Sequence, residues 1–251
     1  MCVAAIAWQA DAAWPLVVIA NRDEYHDRPT APLSRWDEPT GILAGRDLRA
    51  GGTWLGIGLG TGAAMGDAGR LALVTNLRVE GFPQPDRPSR GGLVTGWLAQ
   101  GHLADMADMN PCNLLVADRQ GTRVVANWPA LAETPLAPGV HGLSNGPFSA
   151  PWAKSQALAA ALATWLGKPT TGVGESDLEP LFAALANRSP LPGPGPDDRH
   201  SAVFVADAVY GTRCSTVIAV RADGAGIMVE RSFAPDGATT GENRIASAWC
   251  G

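Results

Sequence analysis

Charged residues, cysteines and long apolar runs are all scarce in this sequence. Charged residues make up 17% of the chain and the formal net charge is −5, so there is no basic face for nucleic acid or anionic lipid, and we expect no nucleic-acid partner. A run of about 18 apolar residues, as a membrane helix needs, does not occur, which predicts no membrane span. The first residues lack the positive charge of a signal peptide, so a reducing cytoplasm is the expected compartment.

The pattern of the cysteines and histidines argues against a metal site or a disulfide framework. No CxxC pair, CxxCH motif or Cys-Pro dipeptide occurs, and neither residue type shows metal-ligand spacing. The segment from Asp23 to Asp27 could imitate a metal cluster, but without a second nearby histidine it is interpreted as a loop. We therefore expect no metal and no resident cofactor. The cysteines are Cys2, Cys112, Cys214 and Cys250, and the histidines are His26, His102, His141 and His200.

Hydrophobic residues are plentiful, at 46% of 251 residues, which is enough for a sizeable core. No internal linker divides the chain, so we predict a single domain over residues 1–251. Two strands are predicted near its start, at Val3–Gln9 and Leu16–Arg22. A hairpin turn centred midway between them places Cys2 opposite Asp23 and beside Arg22.

Further strands and helices complete a mixed chain with strands at both ends and helices in the middle. This order predicts an α+β fold with two stacked, mainly antiparallel sheets between helical layers. The proline- and glycine-rich segment 189–196 is predicted to be a surface loop. The additional strands are predicted at Gly52–Leu59, Leu71–Leu77, Asn113–Asp118, Arg123–Trp128, Ser201–Val205, Cys214–Arg221 and Ile227–Ser232, and the helices at Gly92–Gln100, Pro151–Leu166 and Asp177–Ala186.

Cys2 is the first candidate for chemistry. Removal of Met1 would place a thiol and a free α-amine on one residue, and an amine with a pKa of about 8 accepts the thiol proton near neutral pH. The opposing interpretation is that Cys2 starts a buried strand and packs as a small hydrophobic residue. The charged residues Arg22, Asp23 and Glu24 end an apolar strand, which is costly unless they are paired and is typical of functional sites. A solvated Arg-Asp pair is the structural alternative.

Several short motifs, taken together and in order, resemble the NRDE family, also called the transport and Golgi organization protein 2 family. Its fold is similar to that of the N-terminal nucleophile (Ntn) hydrolases. The resemblance covers nearly the whole chain and implies a four-layer αββα sandwich. The motifs are Met1-Cys2, Asn21-Arg22-Asp23-Glu24, Gly45-Arg46-Asp47, Gly51 to Gly56, Thr75-Asn76, Ser89-Arg90-Gly91, Asn113-Leu114-Leu115, Leu143-Ser144-Asn145, Pro151-Trp152 with Lys154, Tyr210-Gly211-Thr212-Arg213, and Glu230-Arg231.

The resemblance extends to cysteine amidases of the Ntn fold and implies roles for single residues. Cys2 would be the nucleophile, with Asp23 orienting its amine and Arg22 stabilising charge beside it. Because Arg22 and Asp23 are adjacent, they point to opposite faces of a strand, and Asp23 is the one expected to reach Cys2. Asn145 resembles the oxyanion donor of those amidases, Asn76 could supply a second donor, and Arg213 resembles their distal arginine. Such a donor stabilises the transition state by roughly 3 kcal/mol. For Asn76 and Asn145 the alternative is a turn residue that bonds its own backbone.

Two further residues are candidate substrate contacts. Ser89 precedes an apolar helix as a predicted N-cap, and the helix start together with Arg90 could hold a substrate carboxylate or phosphate. Trp54 lies in a glycine-rich loop, where an indole ring could line an apolar pocket. The segment 56–62 imitates a phosphate-binding loop, but a glycine-rich hairpin fits it better because the required strand, helix and later acid are missing.

Two functions remain open from the sequence. The first is an N-terminal cysteine hydrolase that cleaves a linear, non-peptide amide C–N bond of a small molecule through an acyl-enzyme on Cys2. The second, implied by the family's links to haem trafficking and lipid handling, is a non-catalytic carrier of haem or an acyl ligand. Haem would then be a bound hydrophobic ligand and not a catalytic cofactor.

Overall fold

The computed structural model describes residues 2–59, 69–168, 174–196 and 199–249. The chain divides into two compact units, one formed by Met1–Asp27 with Pro138–Ala246 and the other by Arg28–Ala137 with Ser247–Gly251. In chain order the elements are β1 (Cys2–Trp8), β2 (Leu16–Tyr25), β3 (Thr30–Arg35), β4 (Ile42–Asp47), β5 (Leu55–Gly58), β6 (Arg70–Asn76), α1 (Gly91–Gln100), β7 (Cys112–Asp118), β8 (Gly121–Ala126), β9 (Ala132–Pro135), β10 (Gly139–Leu143), α2 (Ala153–Leu166), α3 (Glu175–Leu185), β11 (Tyr210–Val220), β12 (Ala225–Phe233) and β13 (Thr239–Ala248).

The first unit is built on a six-stranded antiparallel sheet with the order β10-β1-β2-β11-β12-β13. The central strand β2 is buried on both faces over its first eight residues, as expected for a run of aliphatic residues. Its odd-numbered residues, including Val17 and Ile19, pack with neighbouring strands against α2 and α3. This packing forms the core of the first unit and defines a helix-facing side of the sheet.

The two helices of the first unit bury apolar stripes on that side. Leu158, Leu162 and Trp165 of α2 and Leu178 and Leu185 of α3 are at most 3% exposed, in keeping with three- and four-residue spacing. The start of α2 lies very close to β10, because a Cβ atom on Gly142 would stand 2.5 Å from the carbonyl oxygen of Ser155. Glycine at this position therefore allows the helix to approach the strand.

The second unit contains a seven-stranded antiparallel sheet in which the strands follow the chain order from β3 to β9. Helix α1 covers one side of it through Leu93, Val94 and Trp97. A Cβ atom on Gly52 would lie 2.7 Å from the carbonyl carbon of Gly91, so the loop before β5 contacts the start of α1 backbone to backbone.

The predicted α+β class with mainly antiparallel sheets is confirmed. The predicted strand at Ser201–Val205 is wrong, since Ser201 ends a 3-10 turn that begins at Arg199 and the residues after it form no strand. Helix α2 begins at Ala153, two residues later than predicted, with Trp152 extended before it. The proline-rich segment forms no helix or strand in the part that is described, as predicted.

Candidate active site

Cys2 begins β1 and lies directly opposite Arg22 on β2. The predicted register, with Cys2 opposite Asp23, is wrong by one residue. The reason lies in the hairpin turn, where Gln9 N–H donates to Pro15 C=O at 2.7 Å and the Asp11 side chain accepts from the Ala13 N–H. These bonds centre the turn on residue 12 and move every pair by one position.

The register decides which side chains share a face with the thiol. Directly opposite residues of an antiparallel pair point to the same side, so Cys2 and Arg22 share one face and Asp23 points to the helix-facing side. The strand pairing places Arg22, and not Asp23, opposite the thiol, while the expectation that Asp23 reaches Cys2 stays a prediction. Asp23 still affects the thiol, because its backbone N–H donates to the sulfur.

Asn145 follows strand β10, which flanks β1 on the side away from β2. Strand β10 pairs with β1 as far as Leu143, opposite Ala4, and Asn145 lies two residues beyond this last pair. The Asn145 side chain is 1% exposed. A Cβ atom on Gly146 would lie 2.3 Å from the Trp152 indole nitrogen, so the indole packs closely behind this turn. Cys2 thus lies opposite an arginine on β2, and a buried amide follows the strand on its other side.

Asp23 lies in a cluster of buried polar side chains on the helix-facing side of the first sheet. Its Oδ1 accepts a hydrogen bond from Thr212 Oγ1 at 2.7 Å, and its carbonyl oxygen accepts one from the Tyr210 hydroxyl at 2.8 Å. Asp23 and Lys154 of α2 are each 1% exposed. Burial raises the pKa of the Asp23 carboxyl, while the charge of Lys154 and the Thr212 hydrogen bond lower it.

The cysteines of the described residues differ in accessibility. Cys2 is half-buried, whereas Cys112 and Cys214 are buried. Burial raises the pKa of all three thiols, to about 12 for Cys112, and the Glu230 carboxylate raises that of Cys214 further. For Cys2 the Asp23 carboxylate adds to the increase, and the Arg22 guanidinium opposes it. Arg22 also lowers the pKa of Cys214, and Arg90 lowers that of Cys112. A neighbouring cation therefore does not distinguish the three thiols, and the greater exposure of Cys2 is what favours it as the reactive one.

Arg213 is placed by a β-bulge. The pairing of β11 with β2 shifts between Thr212 and Cys214, which leaves Arg213 as the extra residue. Its Nη1 donates to the carbonyl oxygens of Tyr25 at 2.9 Å and His26 at 3.2 Å. Burial and the charge of Arg22 lower the pKa of Arg213. The guanidinium therefore holds the chain where it leaves β2, in the same end of the sheet as Arg22.

Two residues of this group, Lys154 and Thr212, were not predicted as site residues. Both lie within motifs of the family resemblance, so the signal was present, but nothing in their local sequence indicates a buried partner. The first residue of the motif before Asp23, Asn21, has a structural role. Its Nδ2 donates to the carbonyl oxygens of Leu185 and Val203 at 2.8 and 3.0 Å, and its Oδ1 accepts from Ser215 at 2.6 Å.

Asn76, Arg90 and Trp54 belong to the second unit. Asn76 ends β6 opposite Cys112 of β7, and Arg90 precedes α1 and donates to the carbonyl oxygen of Pro111 at 3.3 Å. The Trp54 carbonyl accepts from Val74, and its ring packs at the edge of the α1 core. The structure thus brings Asn76 and Arg90 to the same end of β7. Their proposed roles as oxyanion donor and substrate contact stay predictions.

A profile of the family described as Transport and Golgi organisation 2 matches residues 1–235. The chain is 31% identical to the Transport and Golgi organization 2 homolog of Mus musculus over 264 residues, and the match covers 88% of this chain and 87% of that protein. It is 32% identical over 260 residues to the Homo sapiens homolog, with the same coverage. The chain belongs to the Transport and Golgi organisation 2 family. The chain is also 32% identical, over a shorter match of 91 residues, to Transport and Golgi organization protein 2 of Drosophila melanogaster.

The NRDE family is the same family as Transport and Golgi organisation 2, so the resemblance stated from the motifs is confirmed. For this family member, no group of three or more metal-ligating side chains is found among the described residues. Within the same residues no helix is long and apolar enough to cross a membrane. Met1, Cys250 and residues 60–62 of the glycine-rich segment 56–62 lie outside the described residues.

Proposed function

We propose that this protein is an N-terminal cysteine hydrolase that cleaves a linear amide C–N bond of a small molecule. The observation that carries the proposal is the placement of Cys2. It is a half-buried thiol at the start of β1, directly opposite Arg22, and the buried amide of Asn145 follows the neighbouring strand β10. Acyl transfer uses a nucleophile, a base and a hydrogen-bond donor for the oxyanion, and a nearby cation stabilises a thiolate.

The proposed reaction begins with loss of Met1, which frees the α-amine of Cys2. The amine accepts the thiol proton, and the thiolate attacks the substrate carbonyl carbon to form a C–S bond. Asn145 donates to the resulting oxyanion. The ammonium then returns its proton to the leaving amine as the C–N bond breaks. Water then attacks the thioester carbonyl carbon as the amine accepts its proton. The C–S bond breaks, the ammonium returns that proton to the Cys2 sulfur, and the carboxylic acid is released.

Charges around Cys2 support this sequence of steps. Arg22 lowers the pKa of the thiol, so it favours the thiolate against the effect of burial. Asp23 is positioned by Thr212 to hold the ammonium that forms on the amine. The chemistry needs no cofactor, and a thiol nucleophile suits the reducing cytoplasm that the sequence predicts.

The substitution Cys2→Ser tests the proposal. We expect normal folding, because the swap is nearly isosteric, and a loss of at least ~10²-fold in turnover of a panel of small N-acyl anilides, because the hydroxyl is the weaker nucleophile. Cys112→Ser is the matched control: it makes the same change at a buried thiol, and turnover should persist. The proposal would be contradicted if the wild-type protein turns over no amide but binds added haem with a Soret band, and if Cys2→Ser removes that band.

A further inference from the structure

Lysine is rare in this chain: of 19 basic residues only Lys154 and Lys168 are lysines. They lie at the two ends of the same helix, in opposite environments. Lys154 lies in the first turn of α2 and is 1% exposed, whereas Lys168 follows the end of α2 and is exposed. A fully buried lysine is costly unless a carboxylate compensates its charge. The position of Lys154 therefore calls for a nearby anion.

The fold supplies that anion at the end of β2. Helix α2 packs on β1 and β10, and the contact between Gly142 and Ser155 fixes its first turn against the sheet. Asp23 points to this same helix-facing side, is also 1% exposed, and feels the charge of Lys154. Two buried groups of opposite charge thus lie on the same side of the sheet, and the charge of Lys154 acts on the Asp23 carboxylate.

We propose that Lys154 is a positioning residue, which keeps Asp23 ionised so that this carboxylate can hold the amino end of Cys2. The role rests on the proposed N-terminal nucleophile. Lys154 does not contact the reacting atoms in this account, and its influence on Cys2 passes through Asp23. The other titratable groups whose charges act on Asp23 are the amino terminus of the chain and His200.

A pH-dependent stability measurement tests the pairing. The pKa of Asp23 is raised, so its protonated form contributes stability below the ordinary pKa of about 4, and that contribution is lost as the pH rises through the folded-state value. Lys154→Met raises this pKa further. The melting temperature of Lys154→Met should therefore be lower than that of wild type. We expect this difference in melting temperature to be larger at about pH 8 than at about pH 4, by at least about 4 °C.

Iodoacetamide labelling of Cys2 tests the positioning role without requiring a substrate. The Asp23 carboxylate raises the pKa of the thiol, so protonating Asp23 increases the thiolate fraction. In Lys154→Met the labelling rate near pH 7 should rise by about 3- to 10-fold, toward the rate of Asp23→Asn, because one pKa unit changes the thiolate fraction tenfold. In the Asp23→Asn background, Lys154→Met should change the rate no further.

Matched variants separate this role from packing. Lys168→Met makes the same change at an exposed lysine and should alter neither measurement, while Lys154→Arg keeps the charge and should keep the wild-type labelling rate. If Lys154→Met does not fold, the double variant with Asp23→Asn should be more stable than Asp23→Asn alone, because it removes the unpaired lysine.

Two results would overturn the inference. The first is a stability loss in Lys154→Met that is the same at all pH values, together with an unchanged labelling rate of Cys2. The second is a double variant, Lys154→Met with Asp23→Asn, that is less stable than Asp23→Asn alone. Both readouts are independent of amide turnover. Absence of turnover in the wild type would refute the hydrolase but leave the Lys154–Asp23 pairing intact. Normal turnover in Lys154→Met, with no change in labelling, would refute the positioning role alone.

Discussion

At the scale of single residues, neighbouring members of the segment Asn21 to Glu24 have different roles: Asn21 stabilises the fold, and Arg22 and Asp23 are proposed to serve the chemistry. Asn21 makes three buried hydrogen bonds that join β2 to the end of α3, to Val203 and to β11. Each such bond contributes about 1 kcal/mol. Arg22 faces Cys2 and Asp23 faces α2. One short motif on a regular strand thus serves both faces of the sheet, because successive side chains alternate.

Asn145 offers a direct test of the oxyanion assignment. Asn145→Ala should lower kcat by ~10²–10³-fold with little effect on melting temperature, because the lost donor acts on the transition state and not on the ground state. Paired rate and melting measurements on this one variant check it. A structural asparagine would behave in the opposite way, with a loss of about 1–2 kcal/mol in stability and nearly unchanged turnover per folded molecule.

The sequence predicted which residues lie near Cys2 better than it predicted their pairing. Cys2, Arg22, Asp23 and Asn145 lie at one end of the first sheet, where their catalytic roles stay predictions, but the pairing of Cys2 is displaced by one residue. The register depends on the Asp11 turn bonds, which no hydrophobic pattern reveals. Lys154 was not predicted as a site residue because Asp23 is distant from it in sequence, and only the tertiary packing of α2 brings both residues to one side of the sheet.

At the scale of elements, the strands that the sequence did not predict are chiefly sheet edges. The order of the strands places β10 and β13 at the edges of one sheet and β3 and β9 at the edges of the other. Edge strands are half exposed and need no apolar alternation; β9 is exposed at all four residues. Central strands such as β2 and β7 were predicted, since burial on both faces requires aliphatic runs. The internal strand β4 was also missed.

Arg231 links three elements of the first unit. From β12 its guanidinium contacts Glu179 of α3 and Glu242 of β13, each at 2.7 Å, and it stacks 3.9 Å from the Phe182 ring centroid. Hydrogen bonding to Arg231 lowers the pKa of Glu179. Burial raises the pKa of Glu242, but hydrogen bonds from Arg231 and Arg244 outweigh it and the net shift is downward.

We expect Arg231→Gln to lower the free energy of unfolding by about 1–2 kcal/mol near pH 7, from the lost ion pairs and cation–π contact. Because both glutamate pKa values are lowered, this stabilisation is present above about pH 4.5 and is lost as the pH falls through the folded-state values. Denaturant unfolding at several pH values measures it. Arg221→Gln, which removes an exposed pair with Asp223, is the control and should cost little; an equal loss from both variants would contradict the linking role.

At the scale of the whole molecule, the match to the Transport and Golgi organisation 2 family extends over most of the chain. The chemistry is proposed for one end of the first sheet. Buried polar side chains gather where β1 begins and β2 ends: Arg22, Asp23, Asn145, Lys154 and Thr212 are each at most 5% exposed. Burying so many polar groups in one place costs stability. A site that uses them accounts for that cost better than packing alone.

The central claim is that Cys2 is an N-terminal nucleophile, and intact-protein mass spectrometry with iodoacetamide mapping of the natively expressed chain tests it most directly. We predict a mass that lacks Met1 and labelling at neutral pH that is fastest at Cys2, because Cys2 is half-buried whereas Cys112 and Cys214 are buried. Retention of Met1, or faster labelling at Cys214 or Cys250, would contradict the account.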